Sequence, residues 1–325
     1  MEAPKEKLKL AFYWAASCGG CEISLLEIGD KILTVVELAD LVFCPCLVDT
    51  KYKDVEAMPD GYIDVAFYNG AVRSSENEHI AKLLRQKSKV LIAYGSCAMQ
   101  GGIPALANLY DLKQIKHRAY HETQSTVNPD GVEPVPDCAT NGYALTLPEL
   151  YNTVFKLSDK VKVDFYIPGC PPARETTWNA IEQLVTGNLP EPGGVLGAGR
   201  KAVCEECPYE KKETRITEFH RPHTFIPPDN EQCLLEQGLV CLGPATRSGC
   251  GAQCLQAHMP CRGCYGPLPD IQDQGAKLVA AIGSMIGGTG EEEITGIVNQ
   301  IVDPAGTLYR FSMADSFMVR RKLDG

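Results

Sequence analysis

The chain has 325 residues, 44% hydrophobic and 22% charged, with a formal net charge of −10. That size and composition fit one large or two smaller globular domains and exclude disorder or a collagen-like repeat. The acidic balance argues against a nucleic-acid surface, which needs an excess of Lys and Arg. Cysteine departs from the ordinary, with 15 residues against two tryptophans and six histidines.

Residues 8–14 (LKLAFYW) are apolar enough for a buried strand. Leu25, Ile28, Ile32 and Val36 recur at spacings of three and four and predict a helix after it. Two more strand-length apolar runs, 63–68 and 90–94, bracket a helix whose face carries Ile80, Leu83 and Leu84. Residues 163–167 give a further strand, followed by a helix with Trp178, Ile181 and Val185. This alternation predicts an α/β fold, a doubly wound parallel sheet. Residues 111–150 break the rhythm. They are long, polar and rich in turn signals (NPDG, PVPDC, TNGY) and read as an insertion over the sheet.

The stretch 186–201 (TGNLPEPGGVLGAGRK) is dense in glycine and proline and marks a boundary, dividing the chain into 1–190 and 191–325. Beyond it, eight cysteines fall in the 61 residues from Cys204 to Cys264, with hardly any periodic apolar pattern. Bound metal, rather than a core, is expected to hold this smaller cysteine-rich domain together. A helical pattern then returns. Leu278, Ile282, Met285 and Ile286 form one stripe and Ile294, Ile297, Val298 and Ile301 another, with three glutamates from Glu291 at the favourable positive end of the second helix. These C-terminal helices are expected to pack over the metal-bound region. No apolar run reaches the roughly 20 residues that cross a bilayer, and the N-terminus lacks the apolar core of a secretory signal. A cytoplasmic location is therefore expected, where thiols point to metal rather than to disulfides.

Four cysteines follow expected strands. Cys18 and Cys21 (SCGGC) open the first helix, Cys97 (YGSC) follows the 90–94 strand, and Cys170 (PGCPP) follows 163–167. Parallel strands deliver such loops to one sheet edge, where open α/β sheets bind ligands. Neighbouring glycines let backbone N–H groups approach sulfur. Either zinc or an iron–sulfur cluster accepts four thiolates. A sheet of this size has its own core and needs no zinc staple, which favours a cluster. In the second domain Cys204, Cys207, Cys233, Cys241, Cys250, Cys254, Cys261 and Cys264 make two quartets. Spacing leaves their pairing open, with two zinc ribbons as the rival. Cys44 and Cys46 flank a proline in an apolar segment and are expected to be buried small side chains. His220 and His223 are expected in a solvated loop, Glu22 as a helix-start carboxylate with an alternative role in carrying protons, and Cys138 within the insertion.

SCGGC, YGSCAMQGGIPAL and IPGCPP, followed by GLVCLGPATRSGCGAQC and PCRGCYGP, together resemble the small subunit of nickel–iron hydrogenases. The resemblance is to the cytosolic methyl-viologen-reducing (coenzyme-F420-non-reducing) group that works with heterodisulfide reductase. It implies a flavodoxin-like first domain with a proximal 4Fe–4S cluster on Cys18, Cys21, Cys97 and Cys170. It implies a distal cluster on Cys204, Cys207, Cys233 and Cys241, and a medial one on Cys250, Cys254, Cys261 and Cys264. The nickel–iron centre, where dihydrogen is split, would lie on a partner large subunit. Electrons would leave to an iron–sulfur or flavin acceptor subunit of a heterodisulfide-reductase-type complex. Membrane-facing relatives often carry a histidine where this chain has Cys204 and a proline where it has Cys254. Three low-potential four-iron clusters are therefore expected. No residue is expected to act as nucleophile or general acid, and neither nucleic acid nor membrane is an expected partner. The lack of a twin-arginine leader and of an anchor agrees with the cytosolic group. The rivals are the same relay in a complex without nickel, and a zinc-stabilised scaffold.

Overall fold

The computed structural model describes residues 6–319. In chain order the strands are β1 Leu8–Trp14, β2 Ala39–Phe43, β3 Ile63–Asn69, β4 Val72–Ser74, β5 Ser88–Tyr94, β6 Asp137–Thr140, β7 Tyr143–Thr146, β8 Leu150–Phe155, β9 Phe165–Ile167 and β10 Gly194–Val195. The helices α1 Gly20–Leu26, α2 Lys31–Leu38, α3 Tyr52–Ala57, α4 Ser75–Lys87, α5 Ser96–Gln100, α6 Leu112–His117 and α7 Arg174–Thr186 belong to the first part of the chain. The helices α8 Gln253–Gln256, α9 Gln274–Met285, α10 Glu291–Val298 and α11 Pro304–Leu308 belong to the second.

Six strands form one sheet in the order β10-β9-β5-β3-β1-β2, with every pairing parallel. The chain steps from β1 outward to β2, then returns to β3 and proceeds the other way. That reversal between β1 and β3 is the switch point of a flavodoxin-like order. Residues of β1 alternate between two buried faces. Phe12 stacks on Phe67 and meets Tyr94 edge-on, whereas Tyr13 packs against Phe43 and Tyr68 on the opposite side. Ile80 and Leu84 of α4 cover one face, and Ala180 and Leu184 of α7 the other. A sheet buried on both faces is why these strands are mostly apolar runs rather than alternating ones.

Four differences from the sequence expectations have physical causes. The stripe Leu25, Ile28, Ile32, Val36 is two helices, because Gly29 adopts φ 67 between α1 and α2, and Val36 is exposed. The sheet runs on into the glycine- and proline-rich stretch through β10, which Gly194 and Val195 join by backbone pairing to Phe165 and Tyr166. The insertion does not pack over the sheet: residues 134–150 are largely exposed and form their own β6–β7 hairpin. Lastly, the cysteine-rich part has a hydrophobic core of its own. Val203, Phe219, Leu234, Leu239 and Leu242 pack with Leu278 and Ile282 of α9 and Ile297 of α10. Irregular loops present apolar side chains without a fixed period, which hides such a core from pattern reading. The C-terminal helices do cover this region, as expected.

The end of the described chain crosses back to the first part. Met313 and Ala314 pack with Ala71, Cys97, Ala105 and Val154, the Gly102 N–H donates to the Phe311 carbonyl at 2.9 Å, and Lys156 pairs with Asp315. Among the described residues no helix is long and apolar enough to cross a membrane.

Candidate functional site

Cys18 and Cys21 lie at the loop after β1 and the start of α1, Cys97 in α5 after β5, and Cys170 just after β9. All four thiols are within electrostatic reach of one another. Burial, followed by Cys97, Glu22, Cys170 and Cys18, pushes the Cys21 thiol far above its ordinary range. Burial, with Cys170 and Cys18 adding, pushes Cys97 up to about 12. Cys170 is raised by burial and then by Cys18. Two glycines keep the space between these loops open. A Cβ on Gly95 (φ 85) would lie 2.5 Å from the Cys21 Sγ, and one on Gly102 (φ 58) 2.5 Å from the Cys97 Sγ.

Of the eight remaining thiols that were expected to bind metal, Cys204, Cys207, Cys233 and Cys241 line one cavity of 530 Å³, together with Lys211 and Arg215, and none of the other four does. A side chain on Gly243 would begin 3.1 Å from the Cys204 Sγ and 3.5 Å from the Cys241 Sγ. Burial raises Cys204 to about 11, Lys211 pulls it back, and Cys233 and Cys207 add to the rise. The other four form a third group. Cys261 is pushed up to about 12, by burial first and also by Cys250 and Cys254, while Cys264 is raised by burial and senses Cys261 and Cys250.

The groups touch in series. Cys170, in the first group, lies beside the Cys264 thiol of the third, where its backbone and its own thiol both act on that sulfur. The Cys261 N–H, in the third, donates to the Cys241 Sγ of the second at 3.3 Å. Ser96 Oγ donates to the Cys264 carbonyl at 2.5 Å, and the fully buried Tyr265 hydroxyl accepts from the Ala173 N–H and bonds Thr176, each at 2.9 Å. Sequence reading missed Ser96, Tyr265 and Thr176. Only the position of Ser96 and Tyr265 beside a cysteine could have drawn attention to them.

Among the described residues no group of three or more His, Cys, Asp or Glu side chains is arranged to hold a single metal ion. An all-sulfur donor set with neighbouring amide donors suits an iron–sulfur cluster. Other residues singled out in the sequence stand apart. Glu22 sits in the first turn of α1 and accepts from the Asn69 side chain at 2.6 Å. His220 stacks on Phe225 and lines with His223 a cleft distinct from the cavity of the second group. Cys138 is exposed on β6. Cys44 is buried as expected, but Cys46 is exposed with its sulfur 3.4 Å from that of Cys44, because the chain leaves the sheet after β2 and turns Cys46 outward.

The family described as NADH ubiquinone oxidoreductase, 20 Kd subunit, matches residues 18–184, which include Cys18, Cys21, Cys97 and Cys170. The iron–sulfur subunit of the F420-non-reducing hydrogenase of Archaeoglobus profundus is 39% identical over 97% of this chain and 99% of its own length. The chain belongs to the family of these hydrogenase subunits. Two further members span it equally well. The corresponding subunit of the F420-non-reducing hydrogenase of Methanothermobacter thermautotrophicus is 38% identical over 95% of each chain. That of the F420-non-reducing hydrogenase vhu of Methanocaldococcus jannaschii is 37% identical over 97% of this chain and 98% of its own. Membership therefore extends through the cysteine-rich part and its C-terminal helices, beyond the segment that the 20 Kd family covers.

Proposed function

We propose that this chain is the electron-transfer subunit of a cytoplasmic nickel–iron hydrogenase. It relays electrons from H2 oxidation on a partner large subunit to a flavin- or ferredoxin-linked acceptor of the heterodisulfide-reductase type. The observation that carries this reading is the serial contact of the three cysteine groups, Cys170 to Cys264 and Cys261 to Cys241. A scaffold stapled by separate zinc ions has no need of such a series.

In this reading Cys18, Cys21, Cys97 and Cys170 hold a proximal 4Fe–4S cluster in the unit 1–190. In 191–325, Cys250, Cys254, Cys261 and Cys264 hold a medial cluster, and Cys204, Cys207, Cys233 and Cys241 a distal one. Such clusters supply one-electron carriage and the protein tunes it. The chain's own residues do the rest. Loops at the end of β1, β5 and β9 bring thiols to one edge of the sheet, and the backbone N–H of Cys261 stabilises charge on the Cys241 sulfur of the adjoining group. Each ligating thiol must shed its proton. The burial that raises Cys97, Cys204 and Cys261 opposes that loss, so the bound group must offset it. All-cysteine ligation places more negative charge at each site than histidine or three-thiolate sites do, which sets low potentials.

The test is purification of the assembly from its native source, with assay of H2-dependent viologen reduction. A co-purifying larger chain that carries nickel, and activity that requires both chains, is the expected result. Iron without nickel and no H2 activity moves the relay to another oxidoreductase.

A further inference from the structure

Arg262 stands between Cys261 and Cys264, inside the third cysteine group. The N–H of the residue before it donates to Cys241 of the second group at 3.3 Å. The backbone at Arg262 is therefore anchored where the two groups meet. On its other side Arg262 lines a 260 Å³ cleft with Arg310, Arg221, His220 and His223, against the single carboxylate of Asp303. That carboxylate is engaged elsewhere, accepting from the Gly306 N–H at 3.0 Å to cap α11. Among the described residues Glu218 pairs with His220, at 3.3 Å. Neither Arg262 nor Arg310 forms an ion pair with any described residue, and the Arg310 Nε is buried without a hydrogen-bond partner among them.

Two half-buried guanidiniums side by side are unfavourable unless an anion offsets them. Arginine cannot escape by losing its proton. Arg310 and the sulfurs of Cys241, Cys254 and Cys261 are the charged or ionisable groups that surround Arg262. Arg262 is thus within electrostatic reach of ligands of both the second and the third groups. We propose that Arg262 is the shared counter-charge of the medial and distal sites, and that it raises their reduction potentials relative to the proximal site. This rests on the cluster-relay reading above. Reduction adds one negative charge to a site, and a fixed cation beside it favours the reduced form. Arg310 acts in the same sense from farther away. The effect draws electrons outward from the Cys18–Cys170 site, against the low potential that all-thiolate ligation would set.

The experiment is an EPR-monitored redox titration of the intact complex, wild type beside Arg262→Met, Arg262→Lys and Arg310→Met. Arg262→Met keeps a similar stem and removes the charge. At a fixed poise it should lower the reduced-to-oxidised ratio of two of the three cluster signals by about tenfold, the order expected for one unit charge in a half-buried setting. The third signal should not move, and Arg262→Lys should restore most of the shift. If Arg262→Met loses iron, Arg310→Met, which leaves the ligand-flanking residue in place, must lower the same two potentials by a smaller factor. Full iron with unmoved potentials in Arg262→Met, an equal shift in Arg262→Lys, or iron loss in Arg262→Met with no shift in Arg310→Met overturns the proposal. Absence of cluster signals in the wild type would instead overturn the relay reading itself.

Discussion

Replacing Gly95 with alanine puts a methyl group where the three loops of the first cysteine group converge. Gly95 has φ 85 and ψ 164, a region that is nearly glycine-only and costs other residues about 1–3 kcal/mol. The new Cβ would lie 2.5 Å from the Cys21 Sγ, 3.5 Å from the Gly169 carbonyl oxygen and 3.9 Å from Pro172 Cδ. Carbon contacts relax only near 3.5–4.0 Å, so the Cys21 sulfur must retreat by about 1 Å. Cys21 is 8% exposed and packs among Phe12, Phe67 and Tyr94, which leaves no room for that retreat. Overpacking adds about 1–3 kcal/mol, for a total of about 2–6 kcal/mol. Gly142→Ala is the control, since it imposes a left-handed backbone (φ 80) with nothing within 4 Å of the added carbon. The assay is iron per chain and cluster EPR on the purified complex. Gly95→Ala should lose about four irons and one signal of three, while Gly142→Ala keeps full iron and only melts earlier. Full iron and an unaltered proximal signal in Gly95→Ala would refute the assignment of this gap to a cluster.

Three further outcomes are expected. Tyr265→Phe removes the hydroxyl that receives the Ala173 N–H and bonds Thr176, and leaves a buried donor unpaired; it should cost about 1–3 kcal/mol in thermal or denaturant melting, and an unchanged stability would contradict the role of this junction. Glu78 is held down to about 2 by Lys82 and Lys160 and is 18% exposed. Because its folded pKa is depressed from 4.5, its contribution is present above pH 4.5 and lost as pH falls toward about 2, and Glu78→Gln should flatten that part of the stability–pH curve by on the order of 1 kcal/mol after screening. Iodoacetamide should modify exposed Cys46 before buried Cys44, whose thiol burial and its neighbour Cys46 push to about 12; mass spectrometry of the 44–46 peptide reads the order, and equal rates would contradict the burial difference.

Much of the sheet is legible in the sequence because strands buried on both faces are nearly continuous apolar runs, as β1, β3 and β5 are apart from Lys9, Asp64 and Lys89 near their starts. β2 is not, since its edge position leaves Asp40 and Leu41 exposed and its pattern mixed. β10 is not, because two residues paired through backbone alone leave no side-chain signal. The first cysteine group follows from strand ends in a parallel sheet. Division of the other eight thiols needs the tertiary fold, because Cys204 and Cys207 meet Cys233 and Cys241 only after the chain folds around the Leu234–Leu242 core. Arg262, Ser96 and Tyr265 are ordinary neighbours of cysteines in the sequence, and only packing gives them distinct surroundings.

Iron, acid-labile sulfide and zinc counted per copy of this chain, in the complex as isolated and after allowing for iron on the partner, test the central claim most directly. About twelve irons and about twelve sulfides, with no stoichiometric zinc, are predicted for three four-iron clusters. Zinc in place of iron, or iron for one cluster alone, would contradict the relay.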